Sequence, residues 1–225
     1  MSGLFGVVSN NDNCSQALFY GTDYHSHLGT EFGGLAVLGE KFHHKIHAIN
    51  QTQFKSKFFE DYHQMNGKKG IGAISDTDEQ PIFTHSRFGS FFIVTAGLIE
   101  NKEDLVQDLL EKGISFSEPS RTGVNTSELI AKLITTGDNL IHGIESMFEK
   151  IRGSCSLLIL HEDGIYAARD RKGYTPLALG KNDGMMAVAS ETTAFTNLGF
   201  ETIKFLAPGE IILLNENSGL VSRTP

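Results

Sequence analysis

Histidine is the commonest metal-ligating side chain in this 225-residue chain after the carboxylates, with nine copies. Two clusters stand out, His25-Ser26-His27 and His43-His44-Lys45-Ile46-His47. On a helix His43 and His47 would share a face, but residues 45–49 read better as a strand. On a strand His25 and His27 would share one face. Neither cluster has a Cys-x-x-Cys beside it, and metal sites usually bring a fuller ligand set. The histidines therefore read as structural or solvated, and no metal or cofactor is implied. The run Gly29-Thr30-Glu31-Phe32-Gly33-Gly34 has neither phosphate-loop spacing. Cys14 and Cys155 are the only cysteines. Two cysteines so far apart make no disulfide framework and point to a reduced, cytoplasmic compartment.

The elements that must position these groups come from composition and pattern. The chain carries 19 basic and 27 acidic residues, a net charge of −8. That balance argues against a nucleic-acid binder and against a polybasic membrane anchor. No apolar run approaches the roughly 18 residues needed to span a bilayer. The start, MSGLFGVVSNN, lacks the basic region of a secretory signal. The 16 phenylalanines mostly fit core stripes. No linker divides the chain, so 1–225 reads as one domain.

Strands are predicted over residues 4–8, 35–38, 45–49, 70–74, 81–84 and 90–96. Helices are predicted over 15–24 and 53–65, the second with Phe54, Phe58, Phe59 and Tyr62 at helical spacing. Asn101 is placed to cap a helix over 103–112. Asn125 is placed to cap one over 127–135, with Glu128 completing a capping box. A further helix over 139–151 carries Leu140, Ile144, Met147 and Phe148 on one face. Strands 155–160 and 165–169 flank the turn Glu162-Asp163-Gly164. Strands 177–179 and 185–189 flank Asn182-Asp183-Gly184. A short helix over 191–197 and a strand over 210–214 close the chain. Strands, then helices, then hairpins favour an α+β fold with antiparallel sheets.

Several stretches resemble one family in order and spacing. Asp23-Tyr24-His25-Ser26-His27-Leu28-Gly29-Thr30-Glu31-Phe32-Gly33-Gly34-Leu35 resembles the QHRGQEAAGI segment of class II glutamine amidotransferases. Gly70-Ile71-Gly72 resembles their GIGH strand, and Glu79-Gln80-Pro81 their EAQP. Residues 169–177, RDRKGYTPL, resemble RDPxGxRPL. Ala189-Ser190-Glu191 and Pro208-Gly209-Glu210-Ile211 resemble ASExxA and PGEI. Together they are similar to the glutaminase domain of the glutamine phosphoribosylpyrophosphate amidotransferase family, from Ser2 to about Val221. The resemblance implies an N-terminal nucleophile hydrolase fold, a four-layer αββα sandwich of two mostly antiparallel sheets. Within it Arg169 and Asp170 read as an ion pair at a turn.

The family's reaction needs a nucleophile, a base, an oxyanion hole and clamps for the α-carboxylate and α-amine of glutamine. By resemblance the nucleophile position is Ser2, where the family has cysteine, and serine is intrinsically the poorer nucleophile. Its use requires removal of Met1, for which Met-Ser is a favourable context. Cys14 lies too far along the chain to replace it. The carboxylate-clamp arginine corresponds to Ser75, followed by Asp76, whose charge would repel a carboxylate. Arg87 falls in a more distal hairpin and reads as a solvated charge. The oxyanion-hole asparagine corresponds to Ala96, while Gly97 keeps the backbone position. The aspartate that receives the substrate amine corresponds to Thr126. All four functional side chains differ while the scaffold motifs remain, so the resemblance implies a degenerate glutaminase domain.

Three readings stay open on the sequence. The chain is the amidotransferase half of an amidophosphoribosyltransferase-like enzyme of purine biosynthesis, partnered by a phosphoribosyltransferase domain or subunit. Or it is a non-catalytic binding or scaffold domain with an unidentified small-molecule ligand. Or it is a serine-dependent hydrolase of another amide. Self-association is left open. No phosphoribosyltransferase signature occurs in the 225 residues, and the length reads as one half of a two-domain enzyme.

Overall fold

The protein is described by a computed structural model covering all residues except 1, 11, 12, 122, 217, 218, 224 and 225, with backbone alone for 219–223. Its first strand, β1 (Ser2–Ser9), is buried on both faces. Leu4 and Val8 enter one apolar cluster, Phe5 and Val7 another. A strand covered on both sides needs a continuous apolar run rather than alternation, and SGLFGVVS supplies one. Helix α1 (Ser15–Asp23), β2 (Phe32–Leu38), β3 (Phe42–Ala48), α2 (Phe54–Gln64), β4 (Lys69–Ser75), β5 (Ile82–Ser86) and β6 (Gly89–Ile99) follow. Then come α3 (Lys102–Glu111), α4 (Thr126–Thr135) and α5 (Leu140–Lys150). The chain continues through β7 (Gly153–His161), β8 (Gly164–Ala168), β9 (Ala178–Asn182), β10 (Met185–Ala189) and α6 (Thr193–Leu198). It ends with β11 (Glu201–Phe205), β12 (Ile211–Asn215) and β13 (Gly219–Arg223).

The strands form two antiparallel sheets, β11-β9-β10-β1-β4-β2-β3 and β13-β12-β8-β7-β6-β5. They stack through Leu4, Ala36, Ile71, Phe92, Val94, Leu158 and Ile212. Helices α1, α2 and α6 cover the outer face of the first sheet with Phe19, Phe54, Phe58 and Phe195. Helices α3, α4 and α5 cover the second with Leu109, Ile130, Ile144 and Met147. This is the four-layer αββα sandwich the resemblance implies. Among the described residues no helix is long and apolar enough to cross a membrane.

Three local expectations are corrected. Asn101 does not cap α3; its side chain donates to the Lys150 carbonyl (3.0 Å) and accepts from the Arg152 N–H (2.7 Å), tying α3 to α5. Asn125 does cap α4, accepting from the N–H groups of Ser127 and Glu128. Glu128, however, is buried and accepts from the Ser117 and Glu118 N–H groups (both 2.9 Å) instead of closing a capping box. Arg169 and Asp170 do not pair with each other. Arg169 donates to the carbonyls of Gly173 and Leu206. Asp170, buried, accepts from the N–H groups of Lys172, Tyr174 and Thr175. Both side chains organise the 169–176 loop, through backbone groups. Strands β11 and β13 are additions to the sequence reading; β11 is an exposed sheet edge with no buried run to announce it.

Candidate functional site

The antiparallel ladder of β1 and β4 sets Ser2 opposite Ser75, at the end of the first sheet. The two hydroxyl oxygens lie 3.5 Å apart. Ser75 is buried, and its Oγ accepts from the N–H groups of Thr77 (3.2 Å) and Asp78 (3.3 Å). It is a turn-forming hydroxyl. Asp76 is exposed and accepts from the Thr30 N–H at 2.8 Å. Asp76 lines neither of the cavities beside Ser2.

From the second sheet, β6 brings Ala96 and Gly97 to the same end, paired with Ser156 and Cys155. Gly97 sits at φ +150°, and a side chain there would collide with the Ser154 carbonyl. Thr126 opens α4. Its N–H donates to Asp78 Oδ2 (2.9 Å), and its hydroxyl accepts from Lys102 Nζ (3.2 Å). Ser2, Gly97 and Thr126 thus line one enclosed cavity of about 30 Å³, with Asp78 and Cys155. That volume suits one water molecule. On the other side of Ser2 an open groove of about 550 Å³ runs past Leu28, Ala96, Leu98, Tyr174 and Glu191.

Three residues to which the sequence reading gave no role in the site hold this arrangement. Asp78, buried, accepts from Ser120 Oγ (2.6 Å) as well as from Thr126. Gln80 grips β6 from both sides: its Oε1 accepts from the Thr95 N–H (2.7 Å) and Ser127 Oγ (3.0 Å), and its Nε2 donates to the Thr95 carbonyl. These contacts fix the 75–81 loop over the small cavity. Lys102 brings a cation to Thr126 across 24 residues of chain. The proline-bearing segment 79–81 was the one sequence signal for this loop; nothing in the spacing marks Lys102.

The electrostatics of the site follow from the residues that line the two cavities. Among the described residues, the one charged residue lining the small cavity is Asp78, and the one lining the groove is Glu191. Neither offers a cation to an α-carboxylate. A substrate ammonium placed on Thr126 would lie beside the Lys102 ammonium, a like-charge contact that costs energy. Cys155 is no substitute nucleophile. Burial pushes its thiol up to about 12, with the Asp170 charge acting in the same sense. Burial likewise pushes Cys14 to about 12. The thiolate is the reactive form, and at neutral pH neither thiol supplies it. Arg87 is exposed at the β5–β6 turn, where it donates to the Gly137 carbonyl.

The histidines are committed elsewhere. His47 binds Asp61 at 2.6 Å, and His44 packs on the Phe92 ring. His27 binds Glu191 at 2.8 Å. His25 is buried, with Nδ1–H donating to the Gly21 carbonyl (2.7 Å) and Nε2 accepting from the Glu191 N–H (3.3 Å). Among the described residues no group of three or more His, Cys, Asp or Glu could hold a metal. Burial holds the His25 imidazole below the ordinary value of 6.5, and the same cause lowers His44. The unfolded chain therefore takes up more protons than the folded one as pH falls through that value. Stability should be full above about pH 7 and decline toward pH 5. Thermal melts across that range check this, and His25→Gln should flatten the decline.

Comparison with known proteins places these features. Residues 70–197 match the glutamine amidotransferase domain family. The amidophosphoribosyltransferase of Methanocaldococcus jannaschii is 30% identical over 227 residues, covering 96% of this chain and 47% of that protein. That of Bacillus subtilis is 28% identical, covering 95% and 46%. The solved glutamine phosphoribosylpyrophosphate amidotransferase of B. subtilis, complexed with ADP and GMP, superposes with a TM-score of 0.87 at 25% identity, covering 98% of this chain and 48% of that one. A glutamine aminotransferase class-II domain protein from Silicibacter pomeroyi shares the fold, with a TM-score of 0.62 at 11% identity, and is covered over 100% of its chain. The chain spans about half the length of the curated relatives it matches.

Proposed function

The chain belongs to the glutamine amidotransferase domain family, and on that footing we propose that its own glutaminase centre is silent. We read residues 1–225 as a single type 2 amidotransferase domain, of the kind that forms the N-terminal half of amidophosphoribosyltransferase. It keeps the scaffold and lacks the groups that recognise and activate glutamine. The observation that carries the reading is the charge around Ser2. Among the described residues, the one charged side chain lining each of the two cavities beside it is a carboxylate, and the Thr126 hydroxyl, at the position expected to receive a substrate amine, already accepts from Lys102. Ala96 removes a side-chain oxyanion donor as well.

On this reading the domain serves a phosphoribosyltransferase domain or subunit in purine biosynthesis, with ammonia taken from solution. The relatives' names and their twofold greater length support that partner. The 550 Å³ groove favours a second role, as a binding or scaffold domain. Titration of the protein with L-glutamine, followed by calorimetry and amide NMR, tests the loss of recognition. No saturable binding at millimolar glutamine is expected. Saturable binding with shifts at Ser2 and Gly97 would overturn the reading.

A further inference from the structure

We propose that the groove beside Ser2 binds a small organic cation, a primary amine carried on an apolar body. The proposal rests on the reading that this site no longer takes glutamine, and it assigns the site a different ligand class. The volume, about 550 Å³, lies within the range of ligand pockets, roughly 300–1,000 Å³.

The walls are apolar and open to solvent. Leu98 is 70% exposed and Tyr174 73%, and both face this one concavity along with Leu28 and Pro176. Large apolar side chains left exposed around a concavity mark a binding surface, because covering them removes apolar area from water. The polar end is built. Glu191 is held at its backbone by buried His25 and at Oε2 by His27. Its Oε1 has no partner among the described residues, and the side chain is 36% exposed.

Charge then selects the ligand. A carboxylate-bearing ligand would meet Glu191, the one charged side chain lining the groove among the described residues. A neutral ligand would cover Glu191 and leave Oε1 without its water. An ammonium would satisfy Oε1 with a charge-assisted hydrogen bond while its apolar body covers Leu98 and Tyr174. Lys172 already stands over the Tyr174 ring, 6.0 Å from its centroid, without lining the groove.

Benzylamine, benzyl alcohol and phenylacetate share one apolar body and differ in charge, and calorimetric titration of the full chain with each is the test. Benzylamine should saturate and bind at least about tenfold tighter than the other two, the effect of one hydrogen bond to a charged group. Glu191→Gln should remove that preference. Leu98→Ser, at an exposed position, should weaken all three ligands while leaving the melting temperature unchanged. Equal affinity for the three probes, no saturable benzylamine binding, or an unchanged preference in Glu191→Gln would each overturn the proposal. Failure here with glutamine also unbound would sink the amine site alone, whereas glutamine binding would sink the reading on which it rests.

Discussion

Ser2→Cys, processed to expose its N-terminal cysteine, should release no glutamate from glutamine above the blank. The substitution restores the better nucleophile but not the environment it needs. Loss of one oxyanion-hole donor costs roughly 10²–10³ in rate, and Ala96 provides no such donor. The α-carboxylate finds Asp78 and Glu191 in place of a bidentate arginine. The α-amine finds a hydroxyl already bonded to Lys102. A hydrogen bond to a charged group is worth roughly 1.5–3 kcal/mol, so each missing clamp removes about another factor of ten or more. Only a combined variant that adds Ala96→Asn, Ser75→Arg and Thr126→Asp with Lys102→Ala should begin to recover turnover. Ser75→Arg will itself disturb the turn that Ser75 holds through the Thr77 and Asp78 N–H groups. A coupled glutamate assay, with intact mass to establish the N-terminus, reads the outcome. Robust turnover by Ser2→Cys alone would mean that the clamps are not needed.

Asp170→Ala should be among the most destabilising single changes in the protein. The buried carboxylate receives the N–H groups of Lys172 at 2.9 Å, Tyr174 at 3.3 Å and Thr175 at 2.8 Å. Alanine would leave these three donors without their acceptor, in a loop that also forms one wall of the groove. An unsatisfied buried group costs about 1–3 kcal/mol, and partial solvation of this loop suggests a total of about 3 kcal/mol. For a chain of this size that corresponds to a drop of roughly 6–12 °C in melting temperature. Asp170→Asn keeps one acceptor oxygen and should lose about half as much. Melting followed by circular dichroism checks both, and a drop of under about 2 °C for Asp170→Ala would contradict this account of the loop.

Much of this scaffold was legible in the sequence because local chemistry and tertiary packing agree there. Asn125 caps the helix it precedes. The Asp-Gly turns end at Gly164 and Gly184, both at positive φ, as a tight hairpin requires. Apolar runs such as Leu4–Val8 and Cys155–Leu160 are buried strands. The reading departs from the fold where a distant partner outbids a local one. Asn101 and Glu128 have the right types at the right spacing, yet the 150–152 and 117–118 backbones claim their side chains. The edge strand β11 lacks the burial that makes a strand audible in a sequence.

The site divides in the same way. Motif register placed Ser2, Gly97 and Thr126 together, and the fold gathers them around one small cavity. Register could not show that Asp76 accepts from the Thr30 N–H, nor that Asp78 and Gln80 close the cavity. Those facts depend on how seven loop residues cross the sheet ends. The Lys102 ammonium at Thr126 is a contact between two helix starts 24 residues apart, and side-chain reach of that kind leaves no periodic trace.

The most direct test of the silent glutaminase centre is the rate of glutamate formation from L-glutamine by the unaltered protein, measured beside Ser2→Ala with the N-terminus of each established by intact mass. The account expects both to match the protein-free blank, whether or not Met1 has been removed. Glutamate release by the unaltered protein that disappears in Ser2→Ala would contradict it.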